Sequence, residues 1–103
     1  MHAVLVTFQS AASADELADP FREYAEALRS VPGLISKTWI KDGDTVGGFH
    51  VFESRAEAET YLGSEMVAGL TSNPAFTDFS ITHFSVFDEL SRITGTPQRA
   101  LVG

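Results

Sequence analysis

The 103-residue sequence has no cysteine. That excludes disulfides, thiolate metal sites and a thiol nucleophile, and it suits a reducing compartment. Basic residues are also scarce: seven Lys and Arg stand against fourteen Asp and Glu, for a net charge of −7. An acidic surface repels phosphate backbones and anionic lipid alike, so neither nucleic acid nor membrane is expected as a partner. No apolar run reaches spanning length, and "MHAVLVTFQS" has no basic leader region, which leads to the expectation of a cytoplasmic protein. Phosphate-cradling loops, dinucleotide fingerprints and metal-ligand spacings are missing too. What remains is a single domain with 44% hydrophobic residues, eight Phe and one Trp, enough for one modest core.

Its periodicity is easily read. "HAVLVTF" (His2–Phe8) is a short β-rich run. Leu17, Phe21, Tyr24, Leu28 and Val31 then recur at helical spacing, opened by a Ser13/Glu16 capping box and closed by Pro32-Gly33. Pro20 inside that stripe predicts either a kink or a restart with Asp19 as cap. Leu34–Lys41 and Val46–Glu53 flank the turn signal "DGD" as an antiparallel hairpin. Ser54 and Glu57 open a second helix, which Gly63-Ser64 interrupts. Phe79–Phe87 is a fourth strand, and residues 90–103 form a weakly patterned arm. The order β-α-β-β-α-β predicts an α+β, ferredoxin-like domain with a four-stranded antiparallel sheet.

Two helices cover only one face of such a sheet, yet strand alternation leaves neither face polar. In strand one, His2, Val4, Val6 and Phe8 oppose Ala3, Leu5 and Thr7. In strand three, Gly48, His50 and Phe52 oppose Phe49 and Val51. Strand two sets Ile35, Lys37 and Trp39 against Leu34, Thr38 and Ile40. A surplus of apolar sheet predicts a second cover, most economically another copy of the chain, so a homodimer is expected. Gly47-Gly48 weakens a strand and marks a place where a bulge, a ligand or a facing sheet comes close.

The stretch "PGLISKTWIKDGDTVGGFHVFESRAEAETYL", followed by "FSVFDELSRI", resembles the YdhR-type monooxygenases of the dimeric α+β barrel superfamily, beside the antibiotic-biosynthesis monooxygenases. The specific parts are P-G-L, K-x-W, G-G-F and V-F-D; "TSNPAFTD" departs from the pattern and could reshape one pocket wall. The resemblance implies a homodimeric barrel and oxygenase chemistry without flavin, iron or any other cofactor, on a small aromatic or polyketide-like compound. In that chemistry a base removes a proton from an electron-rich substrate, and the anion itself reduces dioxygen.

His50, on a central strand beside a glycine, is the first candidate base, because imidazole titrates near neutrality. His83 is the second, on an edge strand, and the two histidines could meet in space. Trp39 is placed to stack on a flat substrate and Lys37 to steady an anion. Gly48, Phe52 and Thr7 complete the candidate substrate contacts, whereas Tyr24 and Tyr61 read as core. Each of these residues also has an ordinary reading as packed or solvated side chain. Two other functions fit the same pocket: a non-catalytic dimeric binder of an apolar molecule, and an isomerase or cyclase that uses no oxygen.

Overall fold

The computed structural model describes residues 1–96. Four strands and four helices follow in the order β1 (His2–Gln9), α1 (Ala14–Leu28), β2 (Leu34–Asp42), β3 (Thr45–Phe52), α2 (Arg55–Leu62), α3 (Glu65–Thr71), β4 (Thr77–Ser85) and α4 (Asp88–Ile93). The sheet order is β2-β3-β1-β4 with every neighbouring pair antiparallel, the ferredoxin-like arrangement expected from the sequence.

Local chemistry sets the helix ends. Ser13 Oγ accepts the Glu16 backbone N–H while the Glu16 carboxylate accepts that of Ser13, both at 3.1 Å, so two otherwise unsatisfied donors are capped at the start of α1. The helix then runs on as one element with Pro20 inside it, so it does not restart at Asp19. Ser54 Oγ caps α2 by accepting the Glu57 N–H at 3.3 Å. Gly63 ends α2 and Ser64 precedes α3, so the interruption falls where the sequence places it.

Register decides which side chains meet. Val4 pairs with His50 on one side and His83 on the other, and Lys37 pairs with His50, so these residues share one face of the sheet. This is the helix-covered face. Its core is built on the fully buried Val4 and Phe52, packed with Leu28, Val31, Ala58, Tyr61 and Val67. A second cluster of Phe8, Leu17 and Val46 is closed by Phe76 and Phe79. Phe76 comes from the loop after α3 and packs on this cluster, its ring centre 4.8 Å from that of Phe8.

Three sequence expectations shift. A register change between Leu34 and Ser36 turns Leu34 onto the helix face with Lys37 and Trp39, rather than beside Thr38 and Ile40. The extra residue of such a bulge inverts the alternation behind it. The fourth strand spans Thr77–Ser85 rather than Phe79–Phe87, because Phe87 caps α4 instead. The arm expected over residues 90–103 begins inside α4, and its remainder from 97 lies outside the described residues.

The opposite face of the sheet is buried at Ala3 and Val51 but open over its middle. Its middle carries Leu5, Thr38, Ile40, Phe49, Thr82 and Phe84, with no charge among them. Ile40, Phe49 and Phe84 are 39%, 39% and 45% exposed. Beyond it, α4 shows Phe87, Leu90 and Ile93 to solvent. No helix of the described residues is long and apolar enough to cross a membrane.

Candidate functional site

Gly48 opens a slot between the sheet and α1, α2 and α3. A Cβ on Gly47 would be driven into the carbonyl oxygen of Val6 on the neighbouring strand, so this glycine permits a close backbone approach. A Cβ on Gly48 would strike the Lys37 side chain and stand 3.2 Å from His50 Cε1. Gly48 is therefore the floor between those two side chains. The enclosed space is about 30 Å³, lined almost entirely by apolar atoms, which is room for a water but not for a ring.

His50 is 2% exposed. Its Nδ1 lies 3.2 Å from the Val4 carbonyl oxygen, which can only accept, so Nδ1 carries the proton. Nε2 is then a bare lone pair, buried in the slot with no partner among the described residues. Burial first, and the charge of Lys37 second, lower the pKa of the imidazole to about 4, against the weaker opposing pull of the Val4 and Gly48 carbonyls. His50 is accordingly neutral at physiological pH, an acceptor rather than a group poised near 7.

Lys37 faces it from β2. Its Nζ stands 3.6 Å from the centre of the Trp39 ring and 5.0 Å from that of Tyr24, held by two π faces. Among the described residues it has no hydrogen bond and no ion pair. Burial lowers its pKa to about 8, so Lys37 is the member of the pair that titrates near neutrality. Across the slot the Tyr24 and Tyr61 hydroxyls hydrogen-bond at 2.6 Å, and burial raises the pKa of both phenols. The Tyr61 ring lies 5.7 Å from His50. Reading both tyrosines as core missed this pair. The available signal was two phenols on core-facing stripes, since a buried tyrosine hydroxyl needs a partner.

Trp39, 37% exposed, forms the outer wall and packs against Phe21 at 5.1 Å. Open grooves of about 170 and 240 Å³ flank it along the seam of α1 and β2. Either would take a benzene-sized ring, which needs about 150 Å³. Trp39 lines both grooves and the slot.

The structure thus brings His50, Lys37, Trp39 and Gly48 together. Phe52 stacks behind His50 at 6.2 Å but is wholly buried in the core. Thr7 pairs with Gly47 on the opposite face of the sheet, away from the slot. His83 does not meet His50, because β1 runs between their strands, roughly two spacings or ~10 Å in all. Instead His83 Nδ1 lies 2.7 Å from Nε2 of His2. Among the described residues no three His, Asp or Glu side chains converge as a metal-ligand set.

An antiparallel ferredoxin-like sheet with a histidine and a lysine facing an apolar slot beneath its helices places the chain in a known α+β class. The solved structures that share the fold include the NE2512 protein of unknown function from Nitrosomonas europaea, at 21% identity, covering 84% of this chain and 88% of that one with a TM-score of 0.70. An antibiotic biosynthesis monooxygenase matches at 17% identity over 84% and 98% of the two chains, with a TM-score of 0.68. SnoaB, a cofactor-independent oxygenase from Streptomyces nogalater, matches at 13% identity over 82% and 91%, with a TM-score of 0.66. Residues 4–97 match the family model described as "Putative mono-oxygenase ydhR", and the chain belongs to that family. No curated protein matches the sequence.

Proposed function

We propose that this chain is a cofactor-independent mono-oxygenase, working as a homodimer on a small planar aromatic or polyketide-like substrate. The observation that carries this reading is the unpartnered, buried Nε2 of a neutral His50 beside the Lys37 ammonium in an apolar slot. Family membership supports the reaction class.

The substrate enters along the α1/β2 seam and lies against Trp39. Its acidic proton passes to His50 Nε2, and Lys37 steadies the anion left behind. A conjugate acid near 4 makes His50 a weak base in the empty slot. An anion formed beside it favours the imidazolium and raises that value as the transfer proceeds. The anion gives an electron to dioxygen, and the radical and superoxide combine to a peroxide. Loss of water then leaves a carbonyl. In balance, a substrate methylene and dioxygen give a carbonyl and water, with all four electrons drawn from the substrate.

A second reading, a non-catalytic dimeric binder of an apolar molecule, is favoured by how nearly the slot is filled by its own side chains. Oxygen-electrode measurements with anthrone separate the two. The oxygenase should take up one dioxygen per anthrone, and His50→Gln should slow uptake by about a hundredfold or more. Unchanged uptake in the variant would remove His50 from the reaction, and no uptake by the wild type at any pH would overturn the oxygenase reading in favour of those that use no oxygen.

A further inference from the structure

We propose that Lys37 is a nucleophilic amine that condenses with the carbonyl group of an uncharged aromatic aldehyde or ketone, with His50 receiving the hydroxyl of the intermediate. This activity stands apart from oxygen chemistry, because it needs no oxidant.

A lysine ammonium ordinarily ends on a carboxylate or in water. Lys37 ends on no carboxylate: its Nζ lies against the rings of Trp39 and Tyr24 over the Gly48 floor, on a half-buried side chain with no hydrogen bond or ion pair among the described residues. Such a setting favours the neutral amine, the form that attacks carbonyl carbon. The lowering of its pKa to about 8 agrees, leaving roughly a tenth of the residue as free amine at pH 7. Lys37 also lines the 240 Å³ groove outside the slot, so an aldehyde can reach it from the α1/β2 seam while its ring lies along Trp39. The slot behind Nζ is lined almost entirely by apolar atoms, which favours an uncharged carbonyl group there, whereas the groove that would hold the ring is of mixed polarity.

The neighbouring histidine supplies the other half of the step. Attack by Nζ moves the carbonyl π pair onto oxygen, and a proton passes from nitrogen to that oxygen to give a carbinolamine. Its new hydroxyl can donate to Nε2 of His50, the lone pair that otherwise has no partner. The nitrogen lone pair then forms the carbon–nitrogen double bond as water departs. In balance, the carbonyl compound and the primary amine of Lys37 give an imine and water, with no change of oxidation state.

The sequence contains its own control. Its only other lysine, Lys41, is exposed on the same strand, and its Nζ donates to the Gly43 carbonyl. Native protein is treated with benzaldehyde and cyanoborohydride, and adducts on Lys37, Lys41 and Met1 are read separately by peptide mass spectrometry. Lys37 should be labelled at least about tenfold faster than Lys41 at pH 7, since its burial against the two rings favours the free amine. Its rate should level off above a midpoint near pH 8. In urea the preference should vanish. In His50→Gln, Lys37 should slow several-fold while Lys41 keeps its rate. Equal labelling of the two lysines in the native state, a Lys37 rate still climbing past pH 10, or a preference that survives urea would each overturn the proposal. An unchanged Lys37 rate in His50→Gln overturns the part given to His50. None of these outcomes depends on oxygen uptake.

Discussion

His50 shows how a single burial sets a chemical role. Free imidazole titrates near 6.5, and desolvation together with the Lys37 charge takes this one to about 4. Between those values the unfolded chain binds a proton that the folded chain refuses, so stability must fall as pH falls from 6.5 to 4. The loss attributable to this residue is about 3 kcal/mol, complete below pH 4. Urea denaturation at pH 7 and at pH 4.5 should show that decline in the wild type and much less of it in His50→Gln. An equal decline in both proteins would mean that other groups carry it. Strand alternation put Lys37 with Trp39 and Gly48 with His50, whereas the sharing of one face by the two pairs follows only from the register of β2 on β3. Which of the two basic groups titrates near neutrality was not legible in the sequence, because desolvation depends on what the helices lay over each side chain. The Tyr24–Tyr61 bond was hidden for a similar reason: the two hydroxyls meet across α1 and α2, and no spacing within either helix encodes that distance.

At the scale of elements, cap chemistry was the most readable signal, because a capping box is local. Ser13 with Glu16 and Ser54 with Glu57 start their helices where the pattern places them. Pro20 is the exception. It lacks the N–H that the Glu16 carbonyl would accept, yet the stripe of Leu17, Phe21, Tyr24 and Leu28 must stay in phase to cover the sheet, and packing holds the helix through it. Replacing it should therefore stabilise the protein. Pro20→Ala should raise the unfolding free energy by about 1–3 kcal/mol, less the freedom returned to the unfolded chain. Thermal and urea midpoints check this, and a lower midpoint would show that the ring itself is needed. The β2 bulge was invisible to period counting, since one extra residue reverses the faces behind it. From the cap of α4 onward, Phe87, Leu90 and Ile93 recur every third residue, a stripe that was present in the sequence but too short to stand out from the tail.

For the whole molecule, the decisive feature is the uncharged, apolar middle of the sheet's other face. Exposed apolar area of this kind on a small domain marks a contact surface, and a second copy of the chain is the proposed cover. Phe49 stands at its centre, 39% exposed within a single chain, so changing it leaves the core untouched. Phe49→Glu should convert a dimer into a folded monomer, read by sedimentation velocity together with an unaltered far-UV spectrum. A monomeric wild type at micromolar concentration would remove the homodimer from the proposal.

One indole serves the entire chain, and it stands at the doorway between the slot and its flanking grooves, with an amine resting on its face. Emission from Trp39 is therefore a built-in gauge. Its colour and intensity register whether a guest lies in the doorway and whether the neighbouring nitrogen is charged, so occupancy can be followed in solution without attaching any dye.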